Sequence, residues 1–448
     1  MAEPTPSAHE AGLKHQLTAG QMAMVAVGGS IGTGLLLGSG ASTRIAGPAV
    51  ILTYIIGAFL AWTVTNALGE LASVHPAAGS FGVYADMYLN PWAGFVARYG
   101  YWFSIGIAIG AEMVAAATYS QYWFPKVPGA VWVALYSALL LVLNLRSVGD
   151  YGEFEFWFAM VKVVVIAVFI VIGTGLLFGG RVPAQYQANG GFFPTGPASP
   201  LLAVSFALFS FLGVEMVAIS SGEAHSANDI PRATKLMFVL LAFVYIGATT
   251  VLVGVLPWNT TGVTQSPFVT VFARAGIPAA ASLINFVVLT AALSGANANL
   301  YVCSRMLFSL ARSGYAPAAI GRLNRAGSPR LAILISAFGA PLAFVMERWL
   351  PESAFLYIIG ASLFGGMLAW LVSLAAHIAF RRRMTDLELA ALPMRAPGGV
   401  WLSVIGFIGI SLAIGATWWE PQARITIVSG LPYLGILTIA FLLTKGSR

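Results

Sequence analysis

Stretches of about 20 mostly apolar residues, each long enough to cross a bilayer as a helix, recur twelve times along this chain. They lie near 20–43, 48–70, 92–122, 128–147, 156–179, 198–221, 235–257, 277–309, 330–348, 354–380, 399–419 and 424–444. Lipid offers the backbone no hydrogen-bond partners, so a spanning segment must satisfy its own peptide groups, and segments of this length do so as helices. The composition agrees: 58% of the 448 residues are hydrophobic and 9% charged, against roughly 45–50% and 25% in soluble domains. The sequence predicts an all-α integral membrane protein with twelve transmembrane helices, and a water-soluble fold is not expected.

Basic residues set the expected orientation. With the N-terminus inside, the inner loops and ends hold Lys14, Arg98, Arg146, Arg232, Lys235, Arg305, Arg312, Arg322, Arg325, Arg330, Arg381, Arg382, Arg383, Arg395, Lys445 and Arg448. The outer side holds Arg44, Lys126, Arg181, Arg274, Arg348 and Arg424. Sixteen against six is the positive-inside asymmetry, with both termini cytoplasmic. The net charge of +7 then reflects topology, and no nucleic-acid partner is read from it. Arg381 to Arg383, at a cytoplasmic helix end, read as anchors. Residues 1–17 lack a charged leader followed by an apolar core, so no removable signal is expected. One cysteine, Cys303, and five dispersed histidines give no disulfide, no metal spacing and no expected cofactor.

Short loops and the absence of a polar linker predict one membrane domain. The expected organisation is a cytoplasmic tail at 1–17, a five-helix repeat at 18–180, a second, inverted five-helix repeat at 198–380, two additional helices at 399–444 and a tail at 445–448. An odd number of spans per unit turns the second unit upside down. The stretches 71–91 and 181–197 are lids or connectors, and the last two helices serve packing or oligomer contacts.

Each unit begins with a segment built to come apart. In VGGSIGTGLLLGSG at 27–40, glycines and hydroxyls follow one another through Gly28, Gly29, Ser30, Ile31, Gly32, Thr33 and Gly34, and each glycine costs about 1 kcal/mol of helix propensity. A break there ends one half-helix in free carbonyls, which attract an ammonium, and begins another with free N–H groups, which suit a carboxylate. Close packing through small residues explains single glycines, but not three of them around one threonine. The second segment, FSFLGVEMVAISSG at 209–222, supplies Phe209, Ser210, Phe211, Leu212 and Gly213, followed by Glu215. Helices one and six are therefore expected to be discontinuous, with a binding site at mid-membrane.

Ionisable residues inside apolar helices are expensive and mark function. Glu215 is one. Glu112, on a face with Ser104, Ala108 and Ala115, looks into the bundle. Lys162 stands about 10 Å inside the fifth helix, where it either snorkels to the interface or, desolvated, gives up and regains a proton. Glu223, nearer the cytoplasmic end, reads equally as an interfacial or a gating residue.

The ordered motifs GGSIGTGLLLGSG, IAGPAV, ALGELA, AGSFGVYAD, GEFEFWFAMVKV, FSFLGVE, SSGEA, NDIPRAT, SPFV, FVVLTAALSGANANLY and SRMLFSLARSGYAP resemble the bacterial amino acid transporter family of the amino acid–polyamine–organocation superfamily, over about 18–380. The resemblance implies a LeuT-like fold, a 5+5 inverted repeat, and proton-coupled uptake of an amino acid across the cytoplasmic membrane. It assigns the substrate carboxylate to Thr33 and Gly34. The amino group falls to carbonyls of Gly29, Ser30 and Phe209 to Leu212, with Phe209 as a lid. It places Lys162 where a sodium ion sits in related transporters, against the first and eighth helices, and makes Glu215 a coupling or gating residue. Leu36, Leu37 and the run from Gly295 to Asn299 depart from the family pattern and bear on pocket shape.

The expected function is a secondary permease importing a neutral L-amino acid, aromatic or small aliphatic, by proton symport with alternating access. An exchanger or a cationic amino acid permease with the same fold is the alternative. A channel would need a continuous polar pore, and an enzyme a nucleophile with its base or a metal cluster; neither pattern is present in the sequence. The partners expected are the amino acid, protons and the bilayer, with the chain a monomer or weak homodimer in a bacterial inner membrane.

Overall fold

The computed structural model describes residues 17–76, 80–146, 151–180, 182–226, 228–274, 278–324, 329–351 and 353–445. The tails at 1–16 and 446–448, together with Arg181 and Arg325, lie outside the described residues, as does the Glu223 side chain. The described chain is helical throughout. Its first apolar segment is in three pieces, α1 (Ala19–Ser30), α2 (Thr33–Leu36) and α3 (Gly38–Ala46), followed by α4 (Val50–Val74) and a short α5 (Ser80–Tyr88). Then come α6 (Pro91–Gln121), α7 (Gly129–Arg146) and α8 (Tyr151–Phe178).

The sixth segment is also divided, into α9 (Ser199–Leu202), α10 (Val204–Phe211) and α11 (Met216–Ile219), and leads to α12 (Asp229–Val255). The rest are α13 (Pro267–Arg274), α14 (Pro278–Arg312), α15 (Arg330–Ser336), α16 (Gly339–Trp349), α17 (Ala354–Arg383), α18 (Asp386–Ala390), α19 (Val400–Ala416) and α20 (Ile425–Lys445). Among the described residues nine helical spans are long and apolar enough to cross a membrane, which makes this a multi-pass membrane protein. The difference from twelve has a physical origin. Gly129–Leu145 and Val400–Ala416 are apolar but shorter, and α1 stops after 12 residues at the break that the glycines create.

Two groups of helices pack against each other. In one, α1 lies on α12 and α8, while α4 lies on α12 and α10. In the other, α6 is the central post, packed on α17, α14, α16 and α7. Close approach of α6 and α16 uses glycine on both sides: a methyl on Gly110 would sit 2.6 Å from the Gly339 carbonyl oxygen, so the two backbones touch as small-residue membrane interfaces do. The last two helices stay on the periphery, α19 against α17 and α4, α20 against α17 and α6.

Arg381 departs from the anchoring expected of it. Glu70 of α4, fully buried, accepts hydrogen bonds from Arg381 Nε at 2.7 Å and Nη2 at 2.6 Å. It also accepts from the Ala396 N–H, while His377 Nε2 lies 3.1 Å away. A two-pronged guanidinium–carboxylate pair of this kind is strong and directional, and it staples α4 to α17. Arg383 donates to the carbonyls of Met87 and Tyr88, fixing α5 beneath. The 182–197 stretch is a packed connector: Thr195 Oγ1 donates to Ile45 O at 2.6 Å, Trp258 donates to Asn189 O at 3.0 Å, and the Ala49 N–H reaches Phe192 O at 3.1 Å.

Candidate functional site

The two broken segments meet at their breaks. The Ile31 N–H still reaches Val27 O at 2.8 Å, closing α1, and Gly32, in extended backbone, turns the chain into α2. Across from it Gly213 has φ +114°, a left-handed conformation that side chains resist. It also lies against the first segment: a methyl there would be 2.7 Å from Ser30 Oγ and 2.9 Å from the Ser30 nitrogen. One glycine thus makes the turn and lets the two breaks touch. Gly34 allows the second close approach, since a methyl on it would sit 2.8 Å from Ser210 Cα and 3.0 Å from Phe209 Cδ1.

Tyr245 of α12 spans the gap. Its hydroxyl lies 2.6 Å from both the Ser30 and the Ser210 carbonyl oxygens, so one proton is shared between the C-terminal carbonyls of two different half-helices. Tyr54 of α4 approaches Ser210 Oγ at 3.2 Å, and the rings of Tyr54, Phe211 and Tyr245 pack on one another with centroids 4.7–6.4 Å apart. The segment preceding α13 holds the second half-helix, Ser266 Oγ donating to Leu36 O at 2.8 Å.

Three ionisable side chains surround this junction, and each behaves differently. Lys162 is 3% exposed and donates from Nζ to Gly28 O at 2.8 Å; it does not snorkel. It points inward onto the last turn of α1, where carbonyls are short of donors, beside a narrow apolar crevice shared with Leu36 and with Ile284, Val288 and Ala291 of α14. Glu112, 5% exposed, accepts the Thr33 N–H at Oε1 over 3.4 Å. Its carboxylate fills the room left by two glycines: a methyl on Gly32 would lie 2.6 Å from Oε1, and one on Gly295 3.2 Å from it. Glu215, 1% exposed, faces away from that gap. Its Oε1 accepts the Gly213 N–H at 3.1 Å and its Oε2 accepts Trp370 Nε1 at 3.0 Å, so this carboxylate pins the second break and ties it to α17.

Polar capacity is left over where the first segment breaks. Ser30 Oγ, Thr33 Oγ1 and Glu112 Oε2 are buried without a hydrogen-bond partner among the described residues, an arrangement costing about 1–3 kcal/mol per group unless something else bonds there. By helix geometry the first N–H groups of α2, from Thr33, Gly34 and Leu35, also have no partner within their helix. The junction therefore offers N–H donors on one side and carbonyl and carboxylate acceptors on the other, walled by Phe209 and Ile31, which are 7% and 0% exposed. Among the described residues no group of three His, Cys, Asp or Glu is placed to hold a metal.

The structure brings together Gly29, Ser30, Ile31, Gly32, Thr33, Gly34, Phe209, Ser210, Phe211, Leu212 and Gly213, with Lys162 and Glu112 beside them. Glu215 joins them from behind. Sequence reasoning missed Tyr245, Tyr54, Trp370 and Ser266. The signal for Tyr245 was a phenolic hydroxyl inside the apolar run VLLAFVYIGATT, and polar groups at that depth need a partner.

Comparison with known proteins gives the family. Residues 21–443 match the family model for amino acid permeases. The chain is 36% identical to the γ-aminobutyric acid permease of Bacillus subtilis over 415 residues, covering 90% of this chain and 88% of that one. It is 35% identical to the aromatic amino acid transport protein AroP of Escherichia coli O157:H7, covering 91% and 90%. It is 33% identical to a probable threonine/serine transporter of Bacillus subtilis, covering 96% and 94%. In solved structures, the fold is similar to the Eremococcus coleocola manganese transporter in complex with an aromatic bis-isothiourea substituted compound, with a TM-score of 0.59, 14% identity and coverage of 98% and 97%. Broken helices meeting at a buried junction, a family model spanning nearly the whole chain and relatives above 30% identity lead to one assignment: this chain belongs to the amino acid permease family of the amino acid–polyamine–organocation superfamily.

Proposed function

We propose that this permease imports a neutral L-amino acid by proton symport across a bacterial inner membrane, both termini inside. In this reading the chain crosses twelve times, the shorter apolar helices and the divided first segment included, in a 5+5 inverted repeat of LeuT type. The observation that carries the proposal is the Lys162–Gly28 hydrogen bond at 2.8 Å, made at the end of α1 where the chain begins to unwind. A charged lysine satisfies the terminal carbonyls; a neutral one bonds them weakly, and α1 is released. Proton loss from Lys162 and movement of the first helix are then one event.

The zwitterion's carboxylate sits at the Thr33 and Gly34 N–H groups, and its ammonium at the Gly29 and Ser30 carbonyls and at those of Phe209 to Leu212. Phe209 closes over it. The named relatives handle γ-aminobutyric acid, aromatic amino acids and threonine or serine. These compounds share an ammonium and a carboxylate and little else, which supports a grip made by backbone groups, with the side chain read separately. Among the described residues no arginine side chain is buried at the junction to receive an acidic side chain. One charge crossing 100 mV releases about 2.3 kcal/mol, sufficient for roughly fifty-fold accumulation at about 1.4 kcal/mol per decade.

Proteoliposomes test this directly. Under an imposed inward proton gradient, radiolabelled neutral amino acids are expected to accumulate, and a protonophore to abolish the accumulation. Lys162→Met is expected to keep binding within a few fold and lose gradient-driven accumulation by tenfold or more. Counterflow that ignores pH and survives in Lys162→Met would instead identify an exchanger.

A further inference from the structure

A second polar cleft lies away from the broken helices. It measures about 600 Å³ and opens between the ends of α6, α7, α16 and α17 and the 263–264 segment, within the roughly 300–1,000 Å³ of small-molecule sites. Its lining includes Glu347, Arg348, Gln121 and Thr118. Glu347 is 9% exposed, and its Oε2 has no hydrogen-bond partner among the described residues. A buried carboxylate oxygen in that state is costly unless a donor arrives. Room for the carboxylate exists because position 129, at the start of α7, is glycine: a methyl there would collide with Glu347 Oε1.

The neighbouring groups sort by sign. Thr118 Oγ1 already donates to Val114 O at 3.1 Å, and Gln121 Nε2 donates to Val127 O at 3.3 Å. Their side-chain oxygens can still accept, as can Glu347, and Gln121 keeps one further N–H. Arg348 is the exposed cation in the lining, and among the described residues neither it nor Glu347 forms an ion pair. Acceptors and a guanidinium in one lining match a molecule with an ammonium and a carboxylate. Val114, Val263 and Phe355 supply an apolar wall beside them. Thr118 stands six residues beyond Glu112 on α6, a rise of about 9 Å, so the cleft lies along the post that also carries the first break's carboxylate.

We infer that this cleft is a second amino acid site, in which Glu347 holds the ammonium and Arg348 the carboxylate of a zwitterion in the outer vestibule. The inference rests on the transport reading above. It gives the substrate a staging place before the junction opens to receive it.

Equilibrium dialysis of the purified full chain in detergent, paired with proteoliposome uptake, tests it. The probe is radiolabelled L-phenylalanine, L-threonine or γ-aminobutyric acid, whichever the unaltered protein accumulates. The expected result is two molecules bound per chain, falling to one in Glu347→Gln combined with Arg348→Gln, and also in Gly129→Leu, which fills the cleft with the charges kept. Glu347→Asp is expected to restore the second. Uptake by the double variant should show a KM raised tenfold or more with kcat within twofold. One molecule per unaltered chain that does transport, or two retained in both the double variant and Gly129→Leu, would overturn the staging site and leave the transport reading intact. Absence of uptake by the unaltered protein would instead remove the transport reading and the staging site with it.

Discussion

The two breaks are made of similar residues and finished in opposite ways. At the first, Ser30 Oγ, Thr33 Oγ1 and Glu112 Oε2 are buried and unbonded, and the N–H groups that open the following helix have no partner within it, that of Thr33 going to Glu112 Oε1. At the second, Glu215 bonds both the turn at Gly213 and Trp370 of α17, and among the described residues no side-chain oxygen from Phe209 to Glu215 is left without a partner. The difference separates two jobs. On the proposed reading a ligand completes the first break, while the Glu215 bonds hold the second as a fixed edge. A buried polar group left unsatisfied calls for an explanation, and at this junction such groups lie on the side of the first break.

The largest expected effect comes from the residue that serves both breaks. Gly213→Ala places a methyl against Ser30 and forces an alanine to φ +114°, with strain on the order of 1–3 kcal/mol added to the collision. Uptake is expected to fall at least a hundredfold, with a clear drop in thermal midpoint in detergent. An unaffected midpoint would mean that the breaks do not touch. Glu215→Ala is expected to come next. It strands the Gly213 N–H and Trp370 Nε1, costing about 1–3 kcal/mol of stability, while substrate affinity in the folded fraction changes less than threefold; affinity lost with stability kept would make Glu215 part of the ligand grip.

Thr33→Val should show the reverse pattern at smaller scale. It replaces an unbonded hydroxyl with a methyl of similar size, so the midpoint should hold or rise slightly, and substrate affinity should weaken by roughly threefold to tenfold, matching about 1 kcal/mol for one hydrogen bond. Together the last two variants set the comparison as a double dissociation, measured by melting and by binding on the same preparations.

How much of this was written in the chain depends on whether the information is local. The breaks were legible because glycine and hydroxyl runs oppose helix formation wherever they occur, and GGSIGTG and FLGVE fall where the helices do end. Membrane character was legible from segment length and polarity alone. Lys162 and Glu112 stood out because charge inside an apolar helix is conspicuous.

What the sequence could not show were pairings over long separations. Nothing near Glu70 in ALGELA announces Arg381, 311 residues away, and a run of three arginines at a helix end satisfies the topology rule whether or not one of them is also stapling two helices. The position of Glu215 in FSFLGVE gives its depth but not its direction once the helix has unwound. The turn at Gly213 sends that side chain back toward its own backbone and α17. Tyr245 was hidden because its partners are carbonyls, which every residue has.

The most direct measurement is a structure determined with a bound neutral amino acid. The expected result is density between the breaks, the carboxylate within about 3 Å of the Thr33 and Gly34 nitrogens and the ammonium against the Ser30 and Phe209 to Leu212 carbonyls. An amino acid bound elsewhere, with α1 and α2 joined into one continuous helix and no density at this junction, would contradict it.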